Sequence, residues 1–172
     1  METLARVAKQ FRSVAVVGDS AGGGLTLATV LEARRRGIGV SSNVTFSPWT
    51  DLSLSGDSAK EFAVADPLLD VGYLHASAAA YLGSASARDP RASPLFDPEP
   101  SLPPTLIQVG SDEVLLDDSR RFAKAAEAAG TNVTLEVWQG MHHVFQLNVT
   151  EIAAARKALD NAARFLNDHW AS

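Results

Sequence analysis

The sequence predicts an α/β protein with a mainly parallel sheet of about four strands and helices on both faces. Two observations carry this. Short apolar, β-branched runs alternate with longer stretches of helical periodicity along the whole chain, the pattern of βαβ units. With 172 residues, 46% of them hydrophobic and 20% charged, the chain is long and apolar enough to bury a core as a single domain, residues 1–172. No repeat, low-complexity stretch or domain boundary interrupts the alternation.

The elements follow in order. A short amphipathic helix precedes the first strand, with Leu4, Val7 and Phe11 on one side. Ser13–Gly18 (SVAVVG) is short and β-branched, so it reads as a buried strand. Ala21–Arg36 places Leu25, Leu27, Ala28 and Leu31 at helical spacing. Arg34, Arg35 and Arg36 suit the negative end of its dipole, and Gly37 stops it. Asn43–Ser47 is a second strand, ended by Pro48. The polar stretch from Thr50 to Pro67 is irregular, and Val71–Leu82 is a helix ending at Gly83. A loop carrying Pro90, Pro94, Pro98, Pro100, Pro103 and Pro104 follows, and long loops in compact domains tend to cap sites. Thr105–Gly110 is the third strand, Leu115–Ala129 an amphipathic helix stopped by Gly130, and Val133–Trp138 the alternating fourth strand. Thr150–His169 closes the chain as a helix, with Thr150 as its N-cap.

Composition excludes several functions. Fifteen Lys and Arg against twenty Asp and Glu give a net charge of −5, which disfavours nucleic acid and a polybasic membrane clamp as partners. The absence of cysteine removes disulfides, thiolate zinc sites and cysteine nucleophiles. No apolar run approaches the ~20 residues that span a bilayer. The first residues lack the apolar centre of a signal peptide, so a cytoplasmic location is expected.

The sharpest motif is Gly18-Asp19-Ser20-Ala21-Gly22, a G-x-S-x-G between a predicted strand and a predicted helix. That is the context of a nucleophile elbow, in which a sharp turn raises a serine hydroxyl above the sheet edge. Gly18 and Gly22 supply small residues where backbones pass close together. Ser20 lies at a helix N-terminus, and the Ala21 amide is the expected oxyanion donor. The cluster lacks the G-K-[ST] of a phosphate loop and the G-x-G-x-x-G of a dinucleotide site.

A serine nucleophile needs a base, and the base needs a carboxylate. In this elbow architecture the chain order is Ser, acid, His. Asp112-Glu113 follow the third strand and His142-His143 follow the fourth. Every candidate thus sits at the carboxyl end of a parallel strand, where open α/β sheets bind ligands. The adjacent histidines make a poor metal pair, because neighbours in extended chain point opposite ways and no third ligand pattern follows. His75 and His169 stand alone on predicted helices. Trp49 and Asp51 are expected to pack and brace a loop, Phe145 to pack behind the histidine, and Asp19 to brace the elbow.

These residues resemble the hormone-sensitive-lipase family of α/β-hydrolases, the bacterial esterases and acetyl-hydrolases with a GDSAGG elbow. The matching stretches are GDSAGGGL at 18–25, SPWTDLS at 47–53, DPLL at 66–69, YLG at 81–83, DPRASPLF at 89–96, LIQVGSDEVLLDDS at 106–119 and GMHHVF at 140–145. The resemblance implies hydrolysis of short- to medium-chain carboxylic esters by a Ser-His-Glu triad and an acyl-enzyme, without metal or cofactor. The family's acid motif resembles D/E-x-L-x-D, which Glu113-x-Leu115-x-Asp117 fits, leaving Asp112 as the alternative acid. The histidine motif resembles G-M-x-H-G-F, which puts His143 on the catalytic position and Val144 in place of the usual glycine.

The family's His-Gly-Gly-Gly motif, which supplies most of its oxyanion hole, does not occur in this sequence. The resemblance therefore implies the C-terminal half of an α/β-hydrolase fold, with activity lowered by the missing donors. It also leaves Ser13–Gly18 as an apolar edge strand, which predicts a homo-oligomer paired through that edge beside a small ester as substrate. The alternatives are an impaired remnant acting as a binding or assembly module, one half of a split hydrolase, or a segment of a longer protein with Met1 internal.

Overall fold

A computed structural model describes residues 1–60, 66–97 and 101–170. Among the described residues the helices and strands are α1 (Glu2–Gln10), β1 (Ala15–Asp19), α2 (Ser20–Arg35), β2 (Ser42–Phe46), α3 (Val71–Leu82), β3 (Thr105–Gly110), α4 (Leu116–Ala128), β4 (Val133–Trp138) and α5 (Ala153–Asp168). Residues 61–65 of the irregular stretch and Pro98 and Pro100 of the proline loop lie outside the described residues.

The four strands form one sheet in the order β1-β2-β3-β4, every pair parallel. Val17 stands opposite Val44, Val44 opposite Leu106, and Leu106 opposite Thr134. All four strands run the same way, so the loops after β1, β3 and β4 gather at one end of the sheet.

The strand side chains divide between two apolar layers. On one face Leu27, Val30 and Leu31 of α2 pack with Ile107 of β3 and with Phe122, Ala123 and Ala126 of α4. On the other, Val44 and Leu106 pack against Ala162 of α5, with Phe165 and Leu166 alongside. Neighbouring β3 residues thus feed opposite layers, as a period of two requires. The sheet is covered on both faces, as the alternation predicts. β3 is buried along its whole length, whereas β1 has one unpaired edge and exposes Val17.

Several boundaries differ from the sequence reading. The last helix begins at Ala153, not Thr150, and its N-cap Ile152 makes no side-chain cap bond. A 3₁₀ turn at Phe145–Asn148 uses the preceding residues, and the Thr150 hydroxyl bonds Glu151 instead. β1 extends through Asp19 and α2 starts at Ser20 itself, which leaves no loop residue between strand and helix. Phe11 falls beyond α1 and is exposed. α3 has the predicted limits, capped by the Asp70 side chain accepting from the Tyr73 amide at 2.9 Å.

Candidate functional site

The turn from β1 into α2 is made by Ser20, whose φ of +52° lies in the left-handed region that side chains other than glycine rarely adopt. Such strain costs about 1–3 kcal/mol and persists only where surrounding structure holds it. The Ser20 carbonyl accepts the Trp49 amide at 2.9 Å, tying the elbow to the loop after β2. Gly18 is needed because a Cβ there would lie 2.4 Å from the Gly22 carbonyl oxygen and 2.5 Å from Thr26 Oγ1. Gly22 differs from the sequence reading: a Cβ there would meet nothing within 4 Å. Asp19 is exposed and makes no side-chain cap bond to α2. Ala21 is exposed in the first turn of α2, where amides lack helical partners.

Three sequence-predicted residues meet at this elbow. Ser20 Oγ lies 2.9 Å from His143 Nε2, and His143 Nδ1 lies 3.2 Å from Glu113 Oε1. A carboxylate only accepts, so Nδ1 carries the proton and leaves Nε2 to accept from the serine hydroxyl. Glu113 is fully buried and His143 nearly so. The second carboxylate oxygen of Glu113 accepts from the Gly110 amide at 3.0 Å and from the Ser47 hydroxyl at 2.8 Å.

Asp112 sits outside this chain of contacts. Its carboxylate accepts from the Ser111 hydroxyl at 2.6 Å at the surface, and its amide donates to the Met141 carbonyl at 3.1 Å. His142 points elsewhere too, with Nδ1 donating to the His143 carbonyl at 2.9 Å. His75 is exposed, and His169 donates from Nδ1 to the Phe165 carbonyl at 2.8 Å. Phe145 is fully buried against Trp138, with ring centroids 5.6 Å apart. Val144 carries a φ of +47°, a strained conformation for a β-branched residue.

The loop after β2 braces the site through buried acids. Asp118 accepts the amides of Thr50 and Asp51 through one oxygen, at 2.7 and 2.8 Å. Burial pushes its carboxyl up to about 7, against the lowering effect of those two amides. Burial likewise raises Asp51, but hydrogen bonds from Ser53 and Ser55 outweigh it and hold this carboxyl below its ordinary value. Arg121 pairs with Asp51 at 3.0 Å. Trp49 donates from Nε1 to the Asp51 carbonyl at 3.0 Å, which fits the bracing expected of both residues. The sequence reading gave neither Ser47 nor Asp118 a part in the site. Their partners lie 66 and 68 residues away, beyond the reach of local spacing.

Beside the elbow lies a cavity of about 310 Å³. Ala21 and Gly22 border it, and Leu25, Trp49, Leu52 and Tyr81 give it an apolar wall. The site therefore combines a serine hydroxyl on an imidazole, a buried carboxylate behind the imidazole, free amides at a helix start and an adjoining apolar space.

The family described as "alpha/beta hydrolase fold" matches residues 2–147. The chain is 41% identical over 154 residues to an "acetyl-hydrolase" of Streptomyces hygroscopicus, covering 89% of this chain and 52% of that protein. It is 38% identical over 156 residues to an "esterase" of Acinetobacter venetianus, covering 90% and 52%. Among solved structures, EstE5 soaked with ethyl alcohol superimposes with a TM-score of 0.88 at 41% identity, covering 92% of this chain and 54% of that one. An esterase from the bacterial hormone-sensitive lipase family gives 0.86 at 38%, covering 90% and 52%. The chain thus spans about half the length of the curated relatives it matches.

Proposed function

Because the chain belongs to the α/β-hydrolase family, with hormone-sensitive-lipase-type esterases among its relatives, we propose that it is a serine carboxylesterase acting on short- to medium-chain esters. One observation carries the reading: the continuous contact from Ser20 Oγ through His143 to Glu113, at 2.9 and 3.2 Å.

In this proposal Ser20 Oγ attacks the ester carbonyl while His143 Nε2 takes its proton. The Ala21 amide donates to the oxyanion as it forms. Collapse of the tetrahedral intermediate breaks the bond to the alcohol oxygen, which receives the proton from His143. Water, deprotonated by His143, then attacks the acyl-enzyme and releases the acid and free Ser20. Glu113 keeps the proton on Nδ1 and stabilises the imidazolium of each step. Asp112, bonded at the surface, is the weaker candidate for that role. The apolar cavity beside Ala21 would receive the carbon chain of the ester.

Each oxyanion donor removed from such a site costs about 10²–10³ in rate. These 172 residues contain no His-Gly-Gly-Gly, so within them the Ala21 amide is the oxyanion donor this reading names, and turnover by these residues alone is proposed to be slow. Sheet geometry supports self-association: among the described residues β1 bonds only to β2, and Val17 is 48% exposed on the open edge. A second copy pairing there would satisfy the free backbone groups. Among the described residues no helix is long and apolar enough to cross a membrane. Hydrolysis of a short p-nitrophenyl ester by the full chain and by Ser20→Ala tests the function. Turnover lost in the variant is expected, and equal rates would sink the proposal.

A further inference from the structure

Ser47 stands immediately after β2 and before Pro48, fully buried, with a φ of +48°. A strand end has no need of this conformation, and a non-glycine residue held in it is strained. The hydroxyl of Ser47 donates to Glu113 Oε2 at 2.8 Å and accepts the Val144 amide at 3.1 Å. Its own amide donates to the Gln108 carbonyl of β3 at 2.7 Å. One oxygen atom therefore joins the loop after β3, which carries the acid, to the loop after β4, which carries the histidine.

The arrangement constrains the carboxylate specifically. Ser47 and the Gly110 amide both occupy Oε2, so Oε1 is the oxygen presented to His143. Ser20, Ser47 and Val144, three of the four non-glycine residues with positive φ among the described residues, lie at the nucleophile, behind the acid and beside the base. Strain is thus concentrated where these segments touch, and the Ser47 hydroxyl adds a buried bond between the acid and histidine loops to the Asp112 amide–Met141 carbonyl bond that also joins them.

Resting on the esterase reading for its catalytic meaning, we infer that Ser47 is a positioning residue. Its hydroxyl, together with the Gly110 amide, holds the rotation of the Glu113 carboxylate and ties the acid to the backbone beside His143. It touches no substrate and exchanges no proton with one. A bond to a charged, buried acceptor is worth enough that losing it should slow nucleophile reactivity about tenfold or more.

The test compares the 172-residue chain with its Ser47→Ala and Ser47→Gly variants by two measurements. One is the rate of Ser20 labelling by a fluorophosphonate. The other is the downfield proton resonance of His143 Nδ1–H in the NMR spectrum, which reports the imidazole–carboxylate bond without any turnover. Both variants lack the hydroxyl, but glycine removes the strain at φ +48°, so Ser47→Gly gives a folded comparison where Ser47→Ala does not. The expected result is about tenfold slower labelling in each folded variant, with the downfield resonance lost or moved upfield. A packing role alone would lower melting temperature and leave that resonance in place. Wild-type labelling and an unmoved resonance in either folded variant would overturn the inference, as would absence of the resonance from the wild type. If the wild type shows the resonance but never labels, the esterase reading fails while the resonance still decides the role of Ser47.

Discussion

Replacing Gly110 by alanine should disable the site from a distance, through geometry alone. Gly110 ends β3 opposite Trp138. A Cβ there would lie 2.1 Å from the Met141 carbonyl oxygen, 2.6 Å from its carbon and 2.9 Å from the His142 carbonyl oxygen. All three atoms are backbone, so no side-chain rotation relieves the clash, and ordinary contact begins only at 3.4 Å. The 141–142 segment must therefore retreat by roughly 1 Å, a displacement that can cost about 10²-fold in rate. His143 follows directly, and its 2.9 Å contact to Ser20 would then pass the outer limit of a hydrogen bond. Overpacking of this kind costs about 1–3 kcal/mol, which lowers the melting temperature and leaves most of the chain folded. The assay is the rate of fluorophosphonate labelling beside a thermal melt. Gly39→Ala serves as control, since a Cβ there meets nothing within 4 Å. About 10²-fold slower labelling is expected in Gly110→Ala and no change in the control. A folded Gly110→Ala that labels at the wild-type rate would refute the reasoning.

Three further outcomes are expected. In Glu113→Gln, Ser47 and Gly110 donate to the amide oxygen at the Oε2 position, which turns the amide NH₂ toward His143 and forces the wrong tautomer; labelling should fall by about 10³–10⁴ at unchanged melting temperature. Asp118 has a folded value of about 7 against 3.8 unfolded, so the native state keeps a proton there that the unfolded chain has already lost. Stability should therefore fall between pH 4 and 7, at most about 1.4 kcal/mol per pH unit; Asp118→Asn should flatten that slope in melts across the range, and parallel curves would count against it. Val17→Lys puts a charge on the open β1 edge, and gel filtration should show the oligomer expected of the wild type reduced to monomer; a wild type that elutes as a monomer would remove the edge-pairing proposal.

Much of the fold was legible because it depends on local patterns. The β-branched runs at Thr105–Gly110 and Val133–Trp138 gave both strands their observed limits, and Gly83 marked the end of α3. The start of α5 was misread because Thr150 has the chemistry of an N-cap, yet the 3₁₀ turn at Phe145–Asn148 delays the helix to Ala153. At the site, Ser20, Glu113 and His143 were each marked by a short motif beside a strand end. Ser47 and Asp118 were hidden because a serine after a strand and an aspartate in a first helical turn are ordinary. Their meaning comes from partners that only the sheet order brings near. Val144 stood out in sequence as a replaced glycine, but its left-handed backbone and its bond to Ser47 needed the fold.

The most direct measurement is the site of fluorophosphonate attachment, read by peptide mass in the wild type, Ser20→Ala and His143→Ala. One adduct on the peptide bearing Ser20 is expected, absent from Ser20→Ala and formed at least about 10³-fold more slowly in His143→Ala. No adduct on the folded wild type, or an adduct that survives Ser20→Ala, would contradict a Ser20 nucleophile activated by His143.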